Sequence, residues 1–200
     1  MSKETATLDT VLEDLISFSK KTYNRKLTSG IGGNLSARIF SHPDQIFIKA
    51  SGKSLAEVER EDFIRLNLEG DVLEGRGRPS IETPFHCGIY KIRPEIGGIL
   101  HGHSVFATAY GSSQSRWPTL PWAAEAGLHA VEIIEYAKPG SQELAQRVIK
   151  AFANRECQAV ILQGHGFVTI GRDIGTAFYL ADMLEDSAKT LCLMSILNKH

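Results

Sequence analysis

Several common classes of protein are argued against by what this chain has little of. It carries only three cysteines, Cys87, Cys157 and Cys192, widely spaced and odd in number. They do not make a disulfide framework, and no CxxC pair is present, so they read as reduced thiols of a cytoplasmic protein. Any metal site must then be built from histidine and carboxylate. No apolar run reaches the ~18–20 residues that a membrane span needs. The polar start, MSKETATLDT, lacks the apolar core of a secretory signal. Neither sign of charge dominates: 22 Lys and Arg stand against 23 Asp and Glu, interspersed, for a formal net charge of −1. Without a basic stripe, nucleic acid is not an expected partner. Internal repeats, low-complexity tracts, and the Walker and dinucleotide fingerprints are absent too.

What is there is the composition of an ordinary globular protein, 42% hydrophobic and 22% charged over 200 residues. It predicts a single domain, residues 1–200, with a core large enough to stand without covalent staples. Residues 7–23 space Leu8, Val11, Leu12, Leu15, Ile16 and Phe18 as a helix behind Thr7 as N-cap. NLSARIF and QIFIKA read as strands either side of an SHPD turn, and FIRLNLEGDVLEG as a hairpin turning at Glu69-Gly70-Asp71. A helix is expected from about Glu82 to Arg93, stopped by Pro94. GGILHGH reads as a strand, SVFATAYGS as a short helix, and residues 111–130 as turn-rich. SQELAQRVIKAFAN is an amphipathic helix capped by Ser141; QAVILQ and GFVTIG are strands; residues 173–196 form a long final helix. This order predicts an α/β or α+β layered fold, its sheet mixed or largely antiparallel with helices on its faces.

The chemistry concentrates in the histidines. In GGILHGHSVF, His101 and His103 sit two apart on a predicted strand, so both rings point to one face and can share one ion. An isolated pair of this kind also fits two satisfied polar residues at a strand end. His165 stands in QGHGFV, between two glycines at the junction of two apolar strands, where a tight backbone path could deliver a third imidazole. Three protein ligands with an open position is the pattern of a catalytic zinc. Glu82, in PSIETPFH, falls near a helix N-terminus, where a carboxylate is favoured and could serve as a general base. His86, one turn on, could orient Glu82 or simply pack. Three loops could hold an anion: Gly32-Gly33-Asn34, Ser51-Gly52-Lys53, and Pro79-Ser80 before the helix.

GGNLSAR, KASGKSL, PSIETPFHCGIYKIRPEIGGILHGHS and ILQGHGFVTIG, in this order and spacing, resemble the class II aldolase/adducin family, in particular its zinc-dependent sugar-phosphate aldolases. The resemblance spans about residues 8–195. It implies a three-layer α/β sandwich around a mixed, largely antiparallel sheet. It implies Zn2+, or Co2+ or Mn2+, held by His101, His103 and His165, with Glu82 as catalytic acid/base. Gly33, Asn34, Ser51, Gly52 and Ser80 would hold a substrate phosphate. The implied reaction is reversible cleavage of a phosphorylated ketose, similar to L-fuculose 1-phosphate, to dihydroxyacetone phosphate and an aldehyde through a metal-stabilised enediolate. A homotetramer with interfacial active sites is also implied. Two positions depart from the aldolase pattern: Ile81 stands where a second serine is common, and Trp122 aligns with a proton-donating tyrosine, for which Tyr110 or an unaligned residue could substitute. Sister activities of the same superfamily are decarboxylase, dehydratase and 4-epimerase. The epimerases carry aspartate at the position of Glu82. A metal-free, adducin-like scaffold is the reading from another class.

Overall fold

The computed structural model describes residues 8–197. The expected cap Thr7 lies outside them. Eight strands form one sheet in the order β4-β3-β2-β1-β5-β8-β7-β6. The strands are β1 (Asn34–Ile39), β2 (His42–Lys49), β3 (Phe63–Asn67), β4 (Val72–Glu74), β5 (Gly98–Gly102), β6 (Ala130–Ile134), β7 (Cys157–Leu162) and β8 (Gly166–Gly171). Every pairing is antiparallel except β6 with β7. The expected three-layer sandwich with a mixed, mostly antiparallel sheet is thus the fold of the chain.

Strand alternation divides the apolar side chains between two faces. In β7, Ala159 and Ile161 join one core, with α1 (Leu8–Asn24), α3 (Val105–Ser113) and α6 (Ile174–Leu197). Val160 and Leu162 join the other, with α2 (Thr83–Ile92) and α5 (Gln142–Ala153). Helix α5 is capped as expected, the Ser141 hydroxyl accepting from Leu144 N–H at 3.1 Å, a contact worth roughly 1 kcal/mol.

Three local expectations are corrected. The β1–β2 turn is not SHPD but the two residues Phe40 and Ser41, since Ile39 pairs directly with His42. Pro43 is tolerated inside β2 because pairing with β3 begins only at Gln45, where an N–H is first needed. The turn-rich stretch 111–130 contains a short helix, α4 (Pro121–Glu125), and ends at β6. The sequence AVEII is only five residues at a sheet edge and half-buried throughout, which leaves little alternation to read. His103 lies one residue past β5, its N–H donating to Leu27 O at 2.8 Å instead of to a neighbouring strand.

Candidate metal centre and active site

The sheet brings His101, at the end of β5, beside His103 and His165, the latter in the turn from β7 to β8. One ring nitrogen from each lies within 4.8 Å of the others. His101 is fully buried, and its Nδ1 is 2.8 Å from Phe167 O. A carbonyl only accepts, so Nδ1 carries the proton and Nε2 presents a lone pair. That Nε2 meets His103 Nε2 at 2.8 Å and Glu82 Oε2 at 3.0 Å. Atoms able to accept converge on one point, an arrangement that a cation relieves. Burial pushes all three imidazoles down to about 4, so they are neutral near pH 7, the form that binds metal. Three neutral imidazoles beside a carboxylate suit a divalent transition ion.

The His103 ring fits because two glycines clear space for it. A Cβ at position 32 would stand 2.5 Å from His103 Nδ1, and one at position 166 would stand 2.8 Å from its Cδ2. The segment after His103 is anchored from α6. Both carboxylate oxygens of Glu185 accept from the first N–H groups of α3, Phe106 at 3.0 Å and Ala107 at 2.8 Å. Ser104, which precedes α3, makes no side-chain cap, and its buried hydroxyl has no partner.

Glu82 is the residue immediately before α2 and is itself buried. Its Oε2 accepts from Asn34 Nδ2 at 2.9 Å, and its Oε1 lies 3.4 Å from His165 Nε2. The carboxylate therefore reaches two of the three histidines. It forms one wall of a cleft of about 350 Å³, together with His103 and His165. The residues expected to hold an anion, Gly33, Asn34, Ser51, Gly52 and Ser80, all line this same cleft. Gly33 takes φ +73°, and a side chain there would meet His101 O. A larger groove, about 460 Å³, between Leu12, Phe47, Arg60 and Arg76 has no such convergence of ligand atoms.

Lys49 also lines the cleft, and it was not expected from sequence. It is 2% exposed, its Nζ donates to Ala50 O at 3.1 Å, and burial pushes its pKa down to about 8. Its only mark in the sequence is its place at the end of the apolar run IFIKA, directly before a glycine loop, which a surface lysine at a strand end shares. Ile31, Ile81 and Pro139 supply an apolar rim. Ile81 is 62% exposed and offers the cleft no hydroxyl. Trp122 and Tyr110 are not among the cleft's lining residues. Tyr110 Oη donates to Arg116 O at 3.2 Å.

The model of the class II aldolase and adducin N-terminal domain matches residues 13–192. The chain belongs to this family. An L-fuculose phosphate aldolase of Methanocaldococcus jannaschii is 30% identical over 94% of this chain and 98% of its own length. A 3-oxo-tetronate 4-phosphate decarboxylase of Haemophilus influenzae is 31% identical over 88% and 84%. The solved structure of an L-fuculose 1-phosphate aldolase superposes with a TM-score of 0.85 at 29% identity, covering 98% of this chain and 91% of that one. The chain is therefore an enzyme of the class II, metal-dependent aldolase family, with a three-histidine metal site typical of it. Relatives of nearly equal identity carry out different reactions, so membership alone leaves the substrate open. Among the described residues, no helix is long and apolar enough to cross a membrane.

Proposed function

We propose that this chain is a zinc-dependent aldolase that reversibly cleaves a phosphorylated ketose, similar to L-fuculose 1-phosphate, into dihydroxyacetone phosphate and an aldehyde. His101, His103 and His165 hold the ion, with Co2+ or Mn2+ as substitutes. When bound, the ion supplies Lewis-acid stabilisation to negative charge developing on a substrate oxygen. Glu82 moves the proton at the carbon next to the substrate carbonyl, where a carboxylate in hydrogen-bond reach contributes about 10²–10⁴ in rate. Gly33, Asn34, Ser51, Gly52 and Ser80 surround the phosphate. Lys49 adds a fixed positive charge, which offsets the hydroxyl that Ile81 does not provide. The observation that carries this reading is the carboxylate of Glu82 lying 3.0 and 3.4 Å from two of three mutually close histidines, in the wall of a cleft that Asn34, Lys49, Ser51 and Ser80 also line.

The second reading is a sugar-acid phosphate decarboxylase, favoured by Ile81 and by a decarboxylase relative as similar as the aldolases. A dehydratase or epimerase is less well supported, and an adducin-like scaffold least, because the metal and carboxylate positions are all filled. The test is a panel of ketose 1-phosphates and 3-oxo-acid phosphates supplied to the zinc-loaded protein. Release of dihydroxyacetone phosphate supports the aldolase. Release of carbon dioxide from an oxo-acid phosphate, with no ketose cleaved, would replace it by the decarboxylase.

The same reading makes the 200-residue chain one cytoplasmic domain that assembles as a homotetramer with active sites at its interfaces. Support comes from the cleft itself: neither Tyr110 nor Trp122 reaches it to take the hydroxyl proton as the aldehyde departs, or to return it in condensation. A neighbouring protomer can supply that group. Light scattering checks the assembly; a monomer with full turnover would remove the interfacial site.

A further inference from the structure

Behind Glu82 lies a buried ladder of side chains. Helix α2 and the residue before it present Glu82, His86 and Tyr90, four residues apart and therefore on one face. Strand β1 presents Asn34 and Ser36, two apart and on one side of the sheet. Ser36 and His86 have no exposure, and Tyr90 has 1%. The rungs are Asn34 Nδ2 to Glu82 Oε2 at 2.9 Å, Asn34 Oδ1 to His86 Nε2 at 2.6 Å, His86 Nδ1 to Ser36 Oγ at 2.7 Å, and Ser36 Oγ to Tyr90 Oη at 3.0 Å.

The direction of each proton follows from the first rung. Asn34 turns its NH2 to the carboxylate of Glu82 and its oxygen to His86. An amide oxygen only accepts, so His86 Nε2 carries the hydrogen. Burial keeps His86 neutral, which leaves the lone pair on Nδ1 to accept from the Ser36 hydroxyl. Ser36 Oγ in turn accepts from Tyr90 Oη. All donors point toward Glu82, and all of them end on Oε2. The other oxygen, Oε1, is buried with no hydrogen-bond partner.

We propose that this ladder divides the work between the two oxygens of Glu82: Oε2 is anchored and stays unprotonated, Oε1 carries the proton of the reaction, and His86 is the positioning residue that holds the arrangement by locking the amide of Asn34. The inference rests on Glu82 being the acid/base. In the condensation direction a C–H bond of dihydroxyacetone phosphate breaks, its electron pair remains on the substrate, and an O–H bond forms at Oε1; in the cleavage direction Oε1 gives a proton, exchangeable with solvent, to the same carbon. A ladder running the other way, with Nδ1–H on His86, would turn the Asn34 amide over and set its oxygen against the carboxylate.

Two measurements test it. The first is the 15N NMR signature of His86 in the metal-free protein, which requires no turnover. The neutral Nε2–H tautomer is expected; an Nδ1–H tautomer or an imidazolium would overturn the proposal. The second is solvent deuterium exchange into dihydroxyacetone phosphate by zinc-loaded protein, in wild type, His86→Leu and His86→Gln, with zinc content measured alongside. His86→Leu is expected to lower the maximal exchange rate by about 10²-fold, the typical cost of a misplaced catalytic group, with zinc content and KM near wild type. His86→Gln restores a donor toward Asn34 and recovers part of the rate. A folded, zinc-loaded His86→Leu exchanging at the wild-type rate would overturn the role of His86. If His86→Leu does not fold, Ser36→Ala takes its place. It removes only the donor to Nδ1, and an unchanged tautomer together with an unchanged rate would overturn the ladder. Failure of wild type to exchange would instead sink the aldolase reading, with the tautomer still deciding the ladder.

Discussion

His101 and His86 are both fully buried, both pack against Phe85 of α2, and are partnered in opposite ways. His86 has a polar partner on each ring nitrogen, in a chain where each hydrogen bond has one donor and one acceptor. His101 is tied at Nδ1 to a carbonyl and aims a bare Nε2 at other atoms able to accept. A satisfied histidine in a core holds neighbours in place. A histidine with one end pinned and the other facing its own kind is prepared for an ion. Glu82 sits where the two meet: Oε2 is held by Asn34 and faces His101, while Oε1 lies beside His165 without a hydrogen bond.

The largest effect should come from breaking the unsatisfied side. His103→Ala removes one of three ligands and is expected to abolish bound zinc, with turnover falling by at least about 10³-fold, since the ion's charge stabilisation is lost with it. Metal analysis beside the assay checks this; a variant that kept its zinc would break the comparison. Glu82→Gln should retain zinc while turnover drops about 10²–10⁴-fold, because only the proton transfer is removed. Unchanged turnover there would take Glu82 out of the mechanism.

Lys49→Met comes next, with KM for the phosphorylated substrate rising about 10–100-fold, in line with a charge-assisted hydrogen bond of roughly 1.5–3 kcal/mol, while kcat changes little. It also carries a pH signature. The folded protein releases the Lys49 proton near pH 8, whereas an ordinary lysine holds it to 10.5. Between these values the unfolded chain binds the extra proton, so the Lys49 contribution to stability rises with pH. The span is worth about 3 kcal/mol at most. Cys87 and Cys157, pushed up by burial to about 11 and 12, work in the opposite direction. The rise must therefore be read as wild type minus variant in denaturant titrations. A flat difference from pH 8 to 10.5 would show that Lys49 is not held against its charge. The smallest effect is expected from Gly32→Ala, whose new methyl group presses on His103 Nδ1. Zinc affinity should fall about tenfold, the scale seen when a ligand's support is disturbed, with the melting temperature nearly unchanged.

Much of this was readable in the chain. A layered fold of strands and helices followed from the order of their patterns, its three layers from the family resemblance, and the meeting of His101, His103 and His165 from HGHS and GHG. Each motif is local, and the glycines beside it mark where a backbone approaches closely. Less legible were features that depend on contact between distant segments. Strand β6 has too little alternation to announce itself. Lys49 reads as an ordinary surface lysine until the ASG and PSIE loops close around it. The i, i+4 spacing of Glu82, His86 and Tyr90 was visible, as was Asn34-x-Ser36. That the two stripes interdigitate depends on the packing of α2 over β1, which no single segment reveals. Glu185 is the extreme case: a carboxylate on the last helix capping α3, across 79 positions of sequence.

The most direct test of the account is the metal content of wild-type protein purified without chelators, measured by atomic emission. Zinc or another divalent transition metal near one equivalent per chain is predicted, because a preformed site with its ligands already neutral should retain its ion. Less than about a tenth of an equivalent, with none regained on adding Zn2+ or Co2+, would contradict a metal centre at His101, His103 and His165.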